Sequence, residues 1–247
     1  MSAWSMLWWV ILPYIALAVF VVGHIWRWRY DQFGWTSRST QLQERRLLKW
    51  GSPLFHYATF AAIAGHVLGI LVPKSFTDWL GIPEKAYQMF SGIAGSIAAI
   101  GILIGAAILT FRRVAIPRVR ATTSAVDYLA LILLGIIVIL GIYLTIGKEE
   151  LGGGYEYRNT VSVWFRSLFT ARPNVAAIEN APIMYQVHAA AAWAIFMVWP
   201  FSRLVHAWSY PLWYLWRPYI VIRSRVATQP QEPGTAGRRW RKIGVPY

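Results

Sequence analysis

The sequence predicts an all-α polytopic membrane protein: a bundle of five transmembrane helices with its N-terminus outside and its C-terminus in the cytoplasm. Three observations predict this. Of 247 residues, 57% are hydrophobic and only 14% charged, whereas a soluble domain is about a quarter charged and under half apolar. Five stretches supply the roughly 20 mainly apolar residues that a hydrocarbon core requires. Lys and Arg concentrate in alternate connections, the mark of cytoplasmic loops.

The first span is Met6–Ile25. It has no basic n-region and no small-residue cleavage site, so it reads as a retained helix rather than a signal peptide. Trp4, Trp8 and Trp9 mark its outer end, and Trp26, Trp28 and Tyr30 its inner end. With Trp213, Tyr214 and Trp216 these form an interfacial aromatic belt. The remaining spans are Pro53–Val72, Tyr87–Phe111, Val126–Ile146 and Ile183–Val205, the last bent at Pro200. Continuous apolar runs argue against the alternating ten-residue strands of an outer-membrane barrel. Residues 1–225 form one membrane domain. Residues 226–247, rich in Pro, Gly and Arg, form an irregular basic cytoplasmic tail. Its Arg238-Arg239-Trp240-Arg241-Lys242 run faces either anionic lipid or a cytoplasmic partner.

The net charge of +14 is distributed unevenly. Arg27–Trp50 carries six Lys or Arg, Arg112–Ala125 four and Arg203–Tyr247 eight, against none in the N-terminal leader, two over Lys74–Lys85 and four over 147–182. This is a topology signal. No soluble module accompanies it, so nucleic-acid binding is not indicated. Cysteine is absent. That excludes an iron–sulfur cluster, a thiolate zinc site and a covalently attached haem within this chain. The Gly152-Gly153-Gly154 run follows no strand and is not a phosphate cradle.

Four of the five histidines lie in two apolar spans: His56 and His66 in the second, His188 and His206 in the fifth. Ionisable groups at membrane depth are costly and mark functional sites. The two spans run antiparallel, so depth matches His56 with His206 near the cytoplasmic face and His66 with His188 further out. Two bis-histidine sites of this kind suit the iron of two b haems, an electron-carrying arrangement with no open position for substrate. Helix arithmetic leaves a mismatch. Ten residues rise about 15 Å and eighteen about 27 Å, so tilted haem planes, helix tilt or the Pro200 bend must absorb the difference. Any one of these histidines alone is equally readable as a helix-contact residue.

Other residues carry double readings. Gly65 and Gly69 either admit a flat macrocycle beside His66 or form a small-residue packing seam; Gly101 and Gly105 read as packing alone. Arg203, one turn before His206, is a candidate for haem propionates or an anchor at the inner surface, and Arg112 carries the same ambiguity. His24 reads as an interfacial residue, and as the substitute if an inner ligand is misassigned. Apart from Asp127, acidic residues are missing from the spans, which argues against an ion-coupled transporter.

Several local motifs share one resemblance. Leu12-Pro13-Tyr14-Ile15-Ala16, Arg29-Tyr30-Asp31 running to Gly34-Trp35-Thr36, Ser52-Pro53-Leu54-Phe55-His56, Gly65-His66, Pro117-Arg118-Val119-Arg120-Ala121-Thr122-Thr123 and Pro200-Phe201-Ser202-Arg203-Leu204-Val205-His206 follow in order over residues 8–225. In this the chain resembles the gamma subunit of respiratory membrane-bound nitrate reductase, a dihaem cytochrome b anchor of the prokaryotic cell membrane. The resemblance implies two b haems, the distal one on His66 and His188 and the proximal one on His56 and His206. It implies a site for menaquinol or ubiquinol beside the distal haem, with Lys85, Gly65 and His66 as candidates. It also implies an iron–sulfur beta subunit and a molybdenum-containing alpha subunit on the cytoplasmic side, where nitrate is reduced. Histidine pairing alone also fits the cytochrome b of a hydrogenase or a sulfur-cycle reductase. A cofactor-free five-span transporter or scaffold is the reading from another class.

Overall fold

Five helices of the computed structural model are long and apolar enough to cross a membrane: α1 (Ala3–Tyr30), α2 (Arg46–Leu71), α4 (Glu84–Ala115), α6 (Ala125–Gly147) and α9 (Ile183–Phe201). Short helices α3 (Lys74–Trp79), α5 (Pro117–Arg120), α7 (Val161–Phe169) and α8 (Val175–Glu179) lie between them. The structure describes residues 2–36, 38–150, 154–209 and 216, with backbone only at 148–150. The tail 226–247, Trp213, Tyr214 and the first two glycines of the Gly152–Gly154 run lie outside the described residues. No strand occurs among those described.

Each end has a physical cause. Asp127 and Ser124 cap α6 reciprocally: the Ser124 hydroxyl accepts from Asp127 N–H, and the Asp127 carboxylate from Ser124 N–H. Gly81, at φ 71°, closes α3, with Ile82 N–H returning to Thr77 C=O. The fifth span is shorter than the sequence suggested. It ends at Phe201 instead of Val205, because Pro200 supplies no N–H and Ser202 turns extended at ψ −179°. The Ser202 hydroxyl then caps a separate 3₁₀ turn, Arg203–Ala207, which carries His206.

The bundle is built as a chain of neighbours. α2 packs along α4, α4 against α6, α6 against α9 and α9 against α1. Small residues draw α2 and α4 together. A Cβ on Gly105 would stand 2.6 Å from the backbone N of Phe55, and one on Gly101 would stand 2.8 Å from Ala58 Cβ. Gly101 and Gly105 are therefore packing residues, as read. α2 and α9 lack an extended packing seam of their own.

Two arginines from spans brace the connection between α1 and α2. Arg27, 5% exposed, pairs with Asp31 at 2.9 Å and donates to Gly34 C=O at 2.8 Å. Arg112, 2% exposed, pairs with Glu44 at 2.6 Å and donates to Thr40 Oγ1, Thr40 C=O and Glu44 C=O. At the opposite end α7 packs on the last turn of α2. Its Ser162 hydroxyl and Arg166 guanidinium donate to the carbonyls of Gly69 and Ile70. These are two of the carbonyls left open where α2 finishes in a π-helical turn, Val67–Leu71.

Candidate functional site

His56 sits within α2, four residues after Ser52, and its Nδ1 hydrogen-bonds Ser52 C=O at 2.7 Å. His66 ends the α-helical part of α2 and does the same with Ala62 C=O at 2.7 Å. His206 bonds Arg203 C=O at 2.7 Å. A carbonyl only accepts, so Nδ1 carries the proton in all three. Nε2 is left with its lone pair, the state in which an imidazole ligates a metal. His188, on α9, lies beside the backbone of Ile137 in α6, and its buried Nδ1 does not reach the short hydrogen bond that the other three rings make. Its ring passes close to Gly141 of α6, where an added Cβ would meet Cε1 at 3.5 Å.

The rings stand in two pairs. His56 and His206 have centroids 5.9 Å apart at an interplanar angle of 73°. His66 and His188 are 6.3 Å apart and nearly parallel, at 18°. The structure thus brings together the residues matched by depth. It also answers the spacing mismatch: His188 and His206 do not share one continuous rod, because the chain breaks at Ser202.

The residues fit a haem at each pair. A metal-bound imidazole nitrogen lies about 2 Å from its metal, so one metal shared by two imidazoles would separate their ring centres by roughly 6 Å. The pairs match that spacing. His66 is exposed, and an added Cβ on the adjacent Gly65 meets nothing within 4 Å, so the helix surface at Gly65 is open. Among the described residues no group of three or more His, Asp or Glu side chains gathers. Two imidazoles would suffice where a macrocycle supplies the remaining ligands.

Arg203 lies beside the inner pair. It pairs with Asp127 at 3.0 Å, and its backbone N–H donates to the other Asp127 oxygen at 3.1 Å. Its Nε is buried without a hydrogen-bond partner. Arg112 is differently placed: its guanidinium is committed to Glu44 and Thr40, which argues against the propionate role considered for it. Sequence reading missed Asp127 as the partner of Arg203, although Ser124-x-x-Asp127 is a legible cap. His24 bonds Phe20 C=O through Nδ1 at 2.6 Å and packs edge-on to Trp35 and Trp208. With His206 facing His56, His24 stands outside both pairs.

At the other end, an apolar cavity of about 330 Å³ is lined by Leu68, Val72, Phe76, Leu80, Ala86 and Tyr87 among others. Lys85 is exposed in the first turn of α4, between Glu84 and the cavity-lining Ala86. Next to it, Arg158, 2% exposed, lies 4.1 Å over the Tyr87 ring and donates to Thr77 Oγ1 at 3.0 Å. Lys74 bridges Glu84 and Glu156. The hydrogen bond to Glu156 holds the Lys74 ammonium above its ordinary pKa.

Comparison with known proteins gives one consistent result. Residues 5–225 match the family described as nitrate reductase gamma subunit. The nitrate reductase gamma chain of Bacillus subtilis is 42% identical over 217 residues, 88% of this chain and 97% of that one. The respiratory nitrate reductase 1 gamma chain of Escherichia coli is 35% identical, covering 87% and 95%. The nitrate reductase-like protein NarX of Mycobacterium tuberculosis is 42% identical over 232 residues, and this chain spans 36% of its length. The chain belongs to the nitrate reductase gamma subunit family.

Proposed function

We propose that this chain is the quinol-oxidising, dihaem cytochrome b subunit of a respiratory nitrate reductase in the prokaryotic cell membrane. In this reading residues 1–225 form the membrane domain and 226–247 a cytoplasmic tail. The N-terminus lies outside. The chain anchors an iron–sulfur beta subunit and a molybdenum-containing alpha subunit on the cytoplasmic side, and nitrate is reduced there, not on this chain. The spacing of the two imidazole pairs, at 5.9 and 6.3 Å, carries the reading. Family membership favours nitrate respiration over a hydrogenase or sulfur-cycle partner.

A haem b held at each pair would supply one-electron redox chemistry. His56 and His206 would hold the inner one, and His66 and His188 the outer. The bonds from Nδ1 to Ser52, Ala62 and Arg203 fix the tautomer and ring orientation, which keeps Nε2 basic. Arg203, already neutralised on one side by Asp127, offers its unpartnered Nε to an inner propionate. The apolar cavity beyond His66 suits the ring and tail of a quinol, with the helix surface open at Gly65 and Lys85 at the rim.

Quinol oxidised at the outer end releases its protons outside, while its electrons leave toward the cytoplasmic partner. A full crossing against the membrane potential costs about 2.3 kcal/mol per 100 mV for each electron, which the redox drop must exceed. The basic connections set the orientation. Arg112 and Arg203 bind residues of the 31–45 segment and the start of α6 at one end, and the carboxylates of Glu84 and Glu156 gather at the other.

A dithionite-reduced minus oxidised spectrum of the purified chain, with pyridine-haem quantification, tests this. Two b haems per chain are expected. His66→Ala should remove the outer one and abolish quinol oxidation, and His206→Ala should remove the inner one and block transfer to the partner. A colourless protein would overturn the reading in favour of a cofactor-free scaffold.

A further inference from the structure

We infer that the 31–45 segment is a preformed docking loop that inserts Phe33 and Leu42 into an apolar recess, rimmed with carboxylates, on the soluble partner. The inference rests on the reading above, in which such a partner exists, and adds where it is gripped. Fifteen residues join α1 to α2, and those described, 31–36 and 38–45, form no helix or strand. A connection of that length inside a compact domain is usually functional or disordered. Here it is neither slack nor buried.

Two buried arginines clamp its ends. Arg27 holds Asp31 and Gly34 C=O, and Gly34 N–H donates back to the Asp31 carboxylate at 3.0 Å. A side chain at Gly34 would strike this clamp, its Cβ falling 2.7 Å from Arg27 Nη2. Arg112 holds Thr40 and Glu44 through four hydrogen bonds. Between the clamps Arg38 stands in the left-handed region at φ 47°, a conformation a non-glycine residue keeps only where its surroundings enforce it.

What the clamps hold up is bare. Phe33 and Leu42 are fully exposed, at 100% and 103%. Both carboxylates of the segment, Asp31 and Glu44, are neutralised by the clamps. Arg29, Arg38, Arg45, Arg46 and Lys49 are exposed around them. The surface is therefore two apolar knobs in a positive field, which a partner complements with an apolar recess and acidic rim. Because the loop is already ordered, binding loses little conformational entropy.

A membrane surface fits less well. Between the knobs Thr36, Arg38, Ser39 and Gln41 are exposed and too polar to enter hydrocarbon, and the one aromatic residue there, Trp35, is half-buried against His24. Trp28, Tyr30 and Trp50, exposed on the adjoining helix ends, already supply the aromatic residues expected at headgroup level.

The test uses the whole complex. Affinity purification of the tagged chain, wild type and Phe33→Asp/Leu42→Asp, reads soluble subunits per haem. The double variant should lose at least tenfold of its partner while its haem spectrum stays that of wild type; an unchanged ratio overturns the docking loop. A wild-type preparation lacking haem or partner would instead sink the underlying function. The chain has no cysteine, so Phe33→Cys provides one site for an environment-sensitive fluorophore in liposomes. Shielding of the label from an aqueous quencher when the soluble subunits are added supports docking. Quenching by a lipid-borne quencher before they are added shows the loop on the membrane and overturns it.

Discussion

The indole Nε1 of Trp164 donates to the backbone carbonyl of Trp9 across 2.9 Å, and Pro13 explains why that carbonyl needs a donor. Pro13 stands four residues on and has no N–H to return. The helix responds with a π-helical turn over Leu7–Ile11, and α7 brings a side-chain donor from 155 residues away. One proline early in the chain thus fixes where a helix late in the chain must sit.

Trp164→Phe removes the donor together with the pyrrole half of an indole buried at 1% exposure, so the loss of packing adds to the loss of the hydrogen bond. An unsatisfied buried carbonyl costs about 1–3 kcal/mol. The expected result is a lower thermal midpoint for the detergent-solubilised chain with unchanged haem content. An unaltered midpoint would show that water or a neighbouring N–H already satisfies Trp9.

Two glycines near the histidines should respond oppositely. Gly105→Val drives a Cβ into the backbone at Phe55, one residue before His56, so it should separate α2 from α4 and lower both stability and inner-haem content. Gly65→Leu meets nothing in the protein. It should leave thermal stability intact while reducing outer-haem content or quinol oxidation. Equal stability losses for the two would contradict the open space beside Gly65.

The five spans were legible because length and hydropathy report the lipid requirement directly, and observed ends differ from expectation mainly where helices run on past the apolar core. The pairing of histidines was legible as depth, since antiparallel topology converts sequence position into height. The helices between Tyr155 and Ala181 were not foreseen. Val161, Trp164, Phe165 and Leu168 do recur at helical spacing, but nine residues are too short for a hydropathy signal. The partners of the buried arginines were not foreseen. A positive-inside count says only which loops are basic, whereas Arg27 and Arg112 are each folded inward against a carboxylate that lies near it in space.

Breaking the Arg203–Asp127 pair should be severe. Asp127 has a side-chain exposure of 1% and Arg203 of 15%, and removing one member of a buried pair costs about 3–5 kcal/mol. Asp127→Asn should destabilise the chain and disturb the inner-haem spectrum, because Arg203 C=O orients His206. The double variant with Arg203→Met should recover part of the loss in a mutant cycle. Strict additivity would mean that the pair does not act as a unit.

The Arg112–Glu44 clamp gives the docking loop a defined pH response. Burial raises the Glu44 carboxyl, but hydrogen bonds from Leu47 N–H and Arg112 outweigh it and hold its pKa below the ordinary 4.5. A carboxyl depressed in the folded state contributes stability above its unfolded pKa and loses it as pH falls through the folded value. The loop should therefore stay ordered at neutral pH and loosen only in acid below the usual Glu range. A spin label at Phe33→Cys should report constant mobility through neutral pH and a rise in acid. Glu44→Gln should show the higher mobility already at neutral pH, because the neutral amide keeps a hydrogen-bond acceptor but forfeits the charge that anchors Arg112. If that variant matches wild type throughout, Thr40 and the Glu44 backbone carbonyl suffice to hold the arginine, and the acid transition belongs to another group.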